Sequence, residues 1–264
     1  MNIFLRELRS NLKSLLIWSG IMILLVLVGL AKFAAYYNNP SSLEILSSLP
    51  KGMVDAMSLQ AFNLTTLSGL YGILFVFFGL LGGIAAAMWG STLISKEERD
   101  KTVEFTLVLP VSRARIVTAK ALAAAVDCVI FVLVTWVMSV LGAQSYKPDR
   151  AFQSFLALEM AAMLVVELVF LAVGLLLGCA MKRYKRSGSV AVAILLVAYF
   201  LSVVTGLQTN LGFLRYFTPL KYFDPARMLR TGSLEGGFLA LSAGIVVVCL
   251  AAAYGVYRRR DLYL

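Results

Sequence analysis

The sequence contains no histidine. That absence removes the commonest general base and a frequent zinc ligand. It argues against intramembrane zinc proteolysis, Ser-His hydrolysis within the membrane and His-dependent acyl transfer. Charge is also scarce: 14% of residues are charged and 60% are hydrophobic, whereas soluble domains carry roughly a quarter charged residues. The three cysteines, Cys128, Cys179 and Cys249, all fall inside apolar runs. Without a disulfide framework or metal-ligand spacing, they read as small buried hydrophobes, and no metal site is expected. No Gly-x4-Gly-Lys-Ser/Thr loop occurs, so the phosphate cradle of a P-loop ATPase is missing.

What is present is a series of continuous apolar runs, several longer than the ~18 residues that a bilayer span needs. Backbone groups in lipid must be satisfied internally, so a span is a helix or part of a closed barrel. The runs do not alternate, which excludes the barrel. Six spans are expected, at about 15–36, 67–95, 119–142, 152–181, 189–211 and 238–257. The first resembles a signal peptide, but its apolar run is too long for an h-region and Lys32 follows without a clear cleavage site; it is expected to be retained. Before it, Phe4, Leu8, Leu12 and Leu15 recur at helical spacing, with Arg6, Arg9 and Lys13 on a more polar face. This predicts an interfacial amphipathic helix over 1–14, the alternative being a stub continuous with the first span. Between the first two spans, Pro40-Ser41-Ser42 signals a turn and N-cap, and Leu43, Leu46 and Leu49 suggest a short amphipathic helix. The whole chain, 1–264, reads as one membrane domain with an all-α fold.

The net charge of +10 is distributed in short segments between the apolar runs, so topology explains it better than nucleic-acid binding. With the N-terminus inside, 16 of the 24 lysines and arginines fall on the cytoplasmic side. This bias predicts a multi-pass protein with both termini cytoplasmic. Arg215, Lys221, Arg227 and Arg230 run against it, lying before the last span on the outer side. Their interleaving with Tyr216, Phe217, Tyr222 and Phe223 suits a headgroup layer. It suggests a short interfacial or re-entrant helical element, the alternative being an ordinary loop with solvated cations.

The most charged connection lies between the second and third spans, over 96–118. It carries acids and bases around an apolar middle, a composition suited to a protein partner. Glu97, Glu98, Thr102, Glu104, Leu107, Leu109-Pro110, Ser112-Arg113 and Lys120 resemble the cytoplasmic loop of ABC-2 type permeases, with Lys101 standing where the family usually has Gly. Tyr257-Arg258-Arg259-Arg260-Asp261-Leu262 and the stretch Thr218 to Pro225 are similar to weaker motifs of the same family. The resemblance implies a coupling helix near 100–110 that docks on a separate ATPase subunit through Glu97, Glu98, Thr102, Glu104, Leu107, Pro110, Ser112 and Arg113. Periodicity alone does not give that helix, because Val103, Phe105, Leu107 and Leu109 alternate as in a strand. A lone strand there would have no pairing partner. The resemblance further implies an exporter permease of a bacterial cytoplasmic membrane, paired with a second permease copy. ATP and Mg would be bound by the partner and no cofactor by this chain. A membrane scaffold or signalling component that is driven by an ATPase and moves nothing has the same sequence features.

Three acids, Asp127, Glu159 and Glu167, interrupt the spans. Each costs about 2.5–3.5 kcal/mol at a helix centre on insertion scales. With no cation expected among them, they would be protonated, hydrated or bonded to hydroxyls such as Thr135, Tyr199 or Thr205. They are candidates to line a substrate or proton path, or to bridge helices by hydrogen bonds. Gly79-x3-Gly83 and Gly174-x3-Gly178 mark close helix packing, either within the chain or at a dimer seam.

Overall fold

A computed structural model of the chain describes residues 3–37, 63, 65–99, 112–181, 184–207 and 209–259. The elements are α1 (Ile3–Tyr36), α2 (Leu67–Arg99), α3 (Arg113–Ala143), α4 (Arg150–Ala180), α5 (Tyr184–Leu207), α6 (Pro225–Thr231) and α7 (Gly236–Arg259), with 3-10 turns at Gln144–Tyr146, Thr209–Phe217 and Pro219–Lys221. No strand occurs among the described residues. Six helices, α1 to α5 and α7, are long and apolar enough to cross a membrane, as the apolar runs predict. One end of the bundle carries the start of α1, the end of α7 and the two flanks of the 100–111 segment; it is called here the terminal end, and the opposite end the far end. The short helix expected over 43–49 and the coupling helix expected over 100–110 lie outside the described residues.

Local signals set the helix boundaries. The side chains of Ser112 and Asp149 accept hydrogen bonds from the amides of Arg115 at 3.3 Å and Phe152 at 2.7 Å, capping α3 and α4. Asp224 caps α6 through the Ala226 amide, with Pro225 at the first helical position and Gly232 closing the helix at φ 62°. The long helices overshoot the bilayer. α1 has 34 residues and α2 has 33, about 50 Å each, whereas a hydrocarbon core of about 30 Å needs about 20 residues. At the far end, Phe33, Tyr37 and Tyr146 pack ring against ring, with centroids 5.0–5.6 Å apart, forming an aromatic cluster of the kind that marks an interface. Most of the surplus length therefore projects at the terminal end.

One expectation is corrected here. Residues 1–14 do not form a separate interfacial helix; from Ile3 onward they are the opening turns of α1, which continues unbroken to Tyr36. Leu5 and Leu12 face outward, while Glu7 and Asn11 are buried with Leu15 against the rest of the bundle. The reason is electrostatic: Lys96 of α2 and Lys120 of α3 lie opposite and partner Asn11 and Glu7, while Arg9 and Lys13 stay exposed.

The centre of the bundle is the pairing of α2 with α4. α3, α5 and α7 also pack on α4, and α1 packs chiefly on α3. Between α2 and α4 the backbones touch. A Cβ placed on Gly90 would lie 2.2 Å from the Leu171 carbonyl oxygen, one on Gly174 2.4 Å from that of Ala87, and one on Gly178 2.7 Å from that of Ser91. The Gly174-x3-Gly178 motif is thus a packing face within the chain, and its counterpart on α2 is Gly90. Gly83 meets Leu195 and Phe170, and Gly79 meets Leu220, again within the chain.

Gly90→Ala and Gly174→Ala should each lower stability by about 1–3 kcal/mol, because backbone must move to admit the methyl group. Gly244→Ala, with nothing within 4 Å of the added carbon, should leave it unchanged. Thermal unfolding in detergent, with the three variants compared, checks this.

Candidate functional site

The terminal end is held by a buried polar clamp joining α1, α2 and α3. Lys120 of α3 is 1% exposed, is ion-paired with Glu7 of α1 at 3.3 Å and donates to the Leu93 carbonyl of α2 at 2.6 Å. Asn11 of α1 donates to the Asp127 carboxylate at 2.9 Å and accepts from Lys96 of α2 at 3.5 Å. Lys96 also bonds Ser10, and the Trp89 indole donates to Ser14 at 3.0 Å. Among the described residues the clamp brings two acids, Glu7 and Asp127, together with two lysines, Lys96 and Lys120. α7 joins from the other side: Arg113 donates to the Tyr257 carbonyl at 3.3 Å, and the Thr118 and Tyr254 hydroxyls lie 2.6 Å apart.

The residues expected to couple are placed as follows. Glu97 and Glu98 lie in the last turn of α2, and nothing is described of their side chains. Thr102, Glu104, Leu107 and Pro110 lie outside the described residues. Ser112 is the N-cap of α3 and Arg113 its first residue. Both flanks of the segment thus enter the clamp, through Lys96 on one side and Arg113, Thr118 and Lys120 on the other.

The three acids within the spans are not brought together, and none lines the apolar cavity of the bundle. Asp127 is bonded to Asn11, not to the hydroxyls expected; Thr135 donates instead to the Phe131 carbonyl and Thr205 to that of Ser202. Glu159 and Glu167 are fully buried, and among the described residues neither carboxyl group has a strong hydrogen-bond donor in reach. Gly82 makes room for Glu167: a Cβ there would lie 2.6 Å from Oε1. The Cys128 thiol, a weak donor, adjoins the same carboxyl.

At the far end, residues 209–231 fold into the 3-10 turns and α6, packed on the ends of α2, α4 and α5. The segment is helical, as its composition suggests. Its charge balance differs from the expectation of four cations facing one acid. Glu235, just beyond it, pairs with both Arg215 and Arg227, the latter at 2.7 Å. Lys221 lies 3.9 Å from Asp224, and Arg230 donates to the Ala226 carbonyl. Arg215 also sits 4.2 Å from the centre of the Phe238 ring, on which Tyr222 stacks. The Tyr222 hydroxyl donates to the Tyr216 carbonyl at 2.6 Å, and burial raises its pKa.

Sequence reasoning missed Glu7, Asn11, Gly90 and Glu235, and it had Lys120 only as a motif residue of the charged connection, without its buried partners. A signal for three of them was present. Glu7, Asn11 and Leu15 share one helical face, and Lys120 and Asp127 lie seven residues apart among small apolar residues that are also buried.

Six apolar helices built around one backbone-to-backbone pair, and clamped where a charged connection joins the second to the third, define a helical polytopic membrane protein. The chain belongs to the ABC-2 transporter family: the family described as ABC-2 family transporter protein matches residues 1–262. No curated protein matches it. Membership makes it a multi-pass membrane permease of an ABC transporter, a subunit of a kind that pairs with an ABC ATPase.

Lys120→Met alone should destabilise the protein by about 3–5 kcal/mol, because it strands the Glu7 carboxylate. Adding Glu7→Leu should recover most of that loss. Unfolding of the two singles and the double in detergent measures the coupling; simple additivity would show that the pair does not act as a unit.

Proposed function

We propose that this chain is the permease subunit of an ATP-driven exporter, with residues 97–113 handing the motion of a separate ATPase subunit to the spans. Two copies form the passage, both termini are cytoplasmic, and ATP with Mg is bound and hydrolysed by the partner. The observation that carries the reading is the clamp. The two ends of the 100–111 segment are tied by polar bonds to α1 and α7 as well as to each other. A pull on that segment therefore reaches four spans at once, as rocking between inward and outward access requires. Asp127, Glu159 and Glu167 act in this reading as interior groups that orient helices, with Asp127 the link between the clamp and the spans. The charge bias of the connections supports the cytoplasmic placement of the terminal end.

Charge reversal at Glu104, or Leu107→Asp, should release the ATPase subunit or uncouple its activity from transport while leaving the spans folded. Normal co-purification and normal transport with both changes would overturn the coupling assignment. For topology, cysteines introduced at Ser48 and Thr231 should react with membrane-impermeant reagents from outside intact cells, and one at Arg99 should not. The opposite pattern would invert the orientation.

A further inference from the structure

At the far end, α2, α4, α5 and the 219–225 segment enclose a cavity of about 160 Å³. Its walls are mostly apolar, formed by Phe75, Val76, Val166, Val203, Leu220 and Phe223; Tyr199 and Ser202 also line it, and its charged lining is Lys221 and Asp224. A cavity of about 150 Å³ accommodates one benzene-sized group, so the space fits a ring or a short stretch of acyl chain. Phe77 lines it and is itself exposed on the outer surface of α2, and Phe200 is exposed on α5 nearby. The cavity therefore communicates with the lipid-facing surface.

The charged pair is loosely made. Lys221 Nζ and Asp224 Oδ2 are 3.9 Å apart, both side chains are partly exposed, and the other Asp224 oxygen is engaged in capping α6. An ammonium and a carboxylate at that spacing, each with bonding capacity left, match a head group that itself carries both signs. Of the arginines around them, Arg215 and Arg227 share the Glu235 carboxylate, and Arg230 donates to the Ala226 carbonyl. Within the cavity itself the charged lining is the Lys221–Asp224 pair, so the selectivity of this site lies there.

We propose that this cavity binds one zwitterionic phospholipid of the membrane. Lys221 holds the phosphate, Asp224 holds a primary ammonium, and the apolar walls take the start of one acyl chain. The rest of the lipid lies along α2 and α5 beside Phe77 and Phe200. The requirement is only that the far end meet a membrane–water interface, which either orientation of the chain supplies. A failed topology or coupling experiment therefore leaves this proposal standing.

The test is native mass spectrometry of the delipidated permease–ATPase complex, offered equal amounts of phosphatidylethanolamine and phosphatidylglycerol. The unaltered chain should retain one phosphatidylethanolamine per copy, preferred over phosphatidylglycerol by about tenfold, the scale of one charge-assisted hydrogen bond. Lys221→Gln should weaken retention of both lipids and Lys221→Arg should preserve it. Asp224→Asn, which keeps a competent helix cap, should abolish only the preference between them. Val76→Trp, or Ser202→Phe should that variant not co-purify with the ATPase, should fill the cavity and remove the bound lipid. Glycerophosphoethanolamine, the head group without acyl chains, should not displace the lipid. Equal retention of the two lipids by the unaltered chain, retention indifferent to Lys221→Gln and to the filling variant, or displacement by the free head group would each overturn the proposal.

Discussion

In a bilayer, two apolar helices gain nothing by hiding their side chains from each other, because lipid tails are just as apolar; close packing and polar contacts must hold them together. In this permease that requirement is met where α2 and α4 run backbone against backbone, with Gly90, Gly174 and Gly178 leaving no space for even a methyl group. The rest of the bundle is arranged around this pair. α3 and α7 lean on α4, α5 packs against both helices, and α1 is reached mainly through α3. A bulky residue at any of the three glycines would separate the two helices on which all the others rest.

Polar interactions complete the assembly, with different chemistry at the two ends. At the terminal end they are buried and reciprocal: Lys120 with Glu7, Asn11 with Asp127. A buried pair of this kind contributes less to net stability than its geometry suggests, but removing one member leaves a costly orphan charge. It therefore acts mainly to fix which helix faces which. At the far end the ion pairs are partly exposed and shared, with Glu235 serving two arginines beside Phe238. Partly exposed pairs are weaker and more easily exchanged, so the far end is the more readily remodelled of the two.

The number of spans, their order, the glycine pair on α4 and the helical far-end segment were legible in the sequence, since length, apolar content and small-residue spacing report directly on the bilayer. The orientation of α1 was not. Phe4, Leu8, Leu12 and Leu15 were read as the apolar side of an interfacial helix, with Arg6, Arg9 and Lys13 on its polar side, and the face formed by Glu7 and Asn11 was not singled out. Beside a membrane the outside can be the apolar phase, so Leu5 and Leu12 turn outward and Glu7 and Asn11 turn in toward cations contributed by α2 and α3. That partnership spans more than 80 positions of sequence, beyond the reach of local periodicity. Gly90 was overlooked because it has no second glycine at motif spacing; its close approach belongs to the crossing of two helices and not to either sequence alone. Glu235 was overlooked because it lies outside the basic stretch whose charge it balances.

The unequal lengths of α2 on either side of Gly90 have a mechanical meaning. Roughly 14 Å of the helix separate Gly90 from Arg99, and roughly 35 Å separate it from Leu67. If the point of closest approach to α4 is the fulcrum, α2 is a lever whose short arm ends at the terminal-end connection and whose long arm ends at the opposite end of the bundle. A displacement applied to the short arm emerges about two and a half times larger on the other side, so a movement of a few ångströms in a partner is geared up to the width of a small cargo.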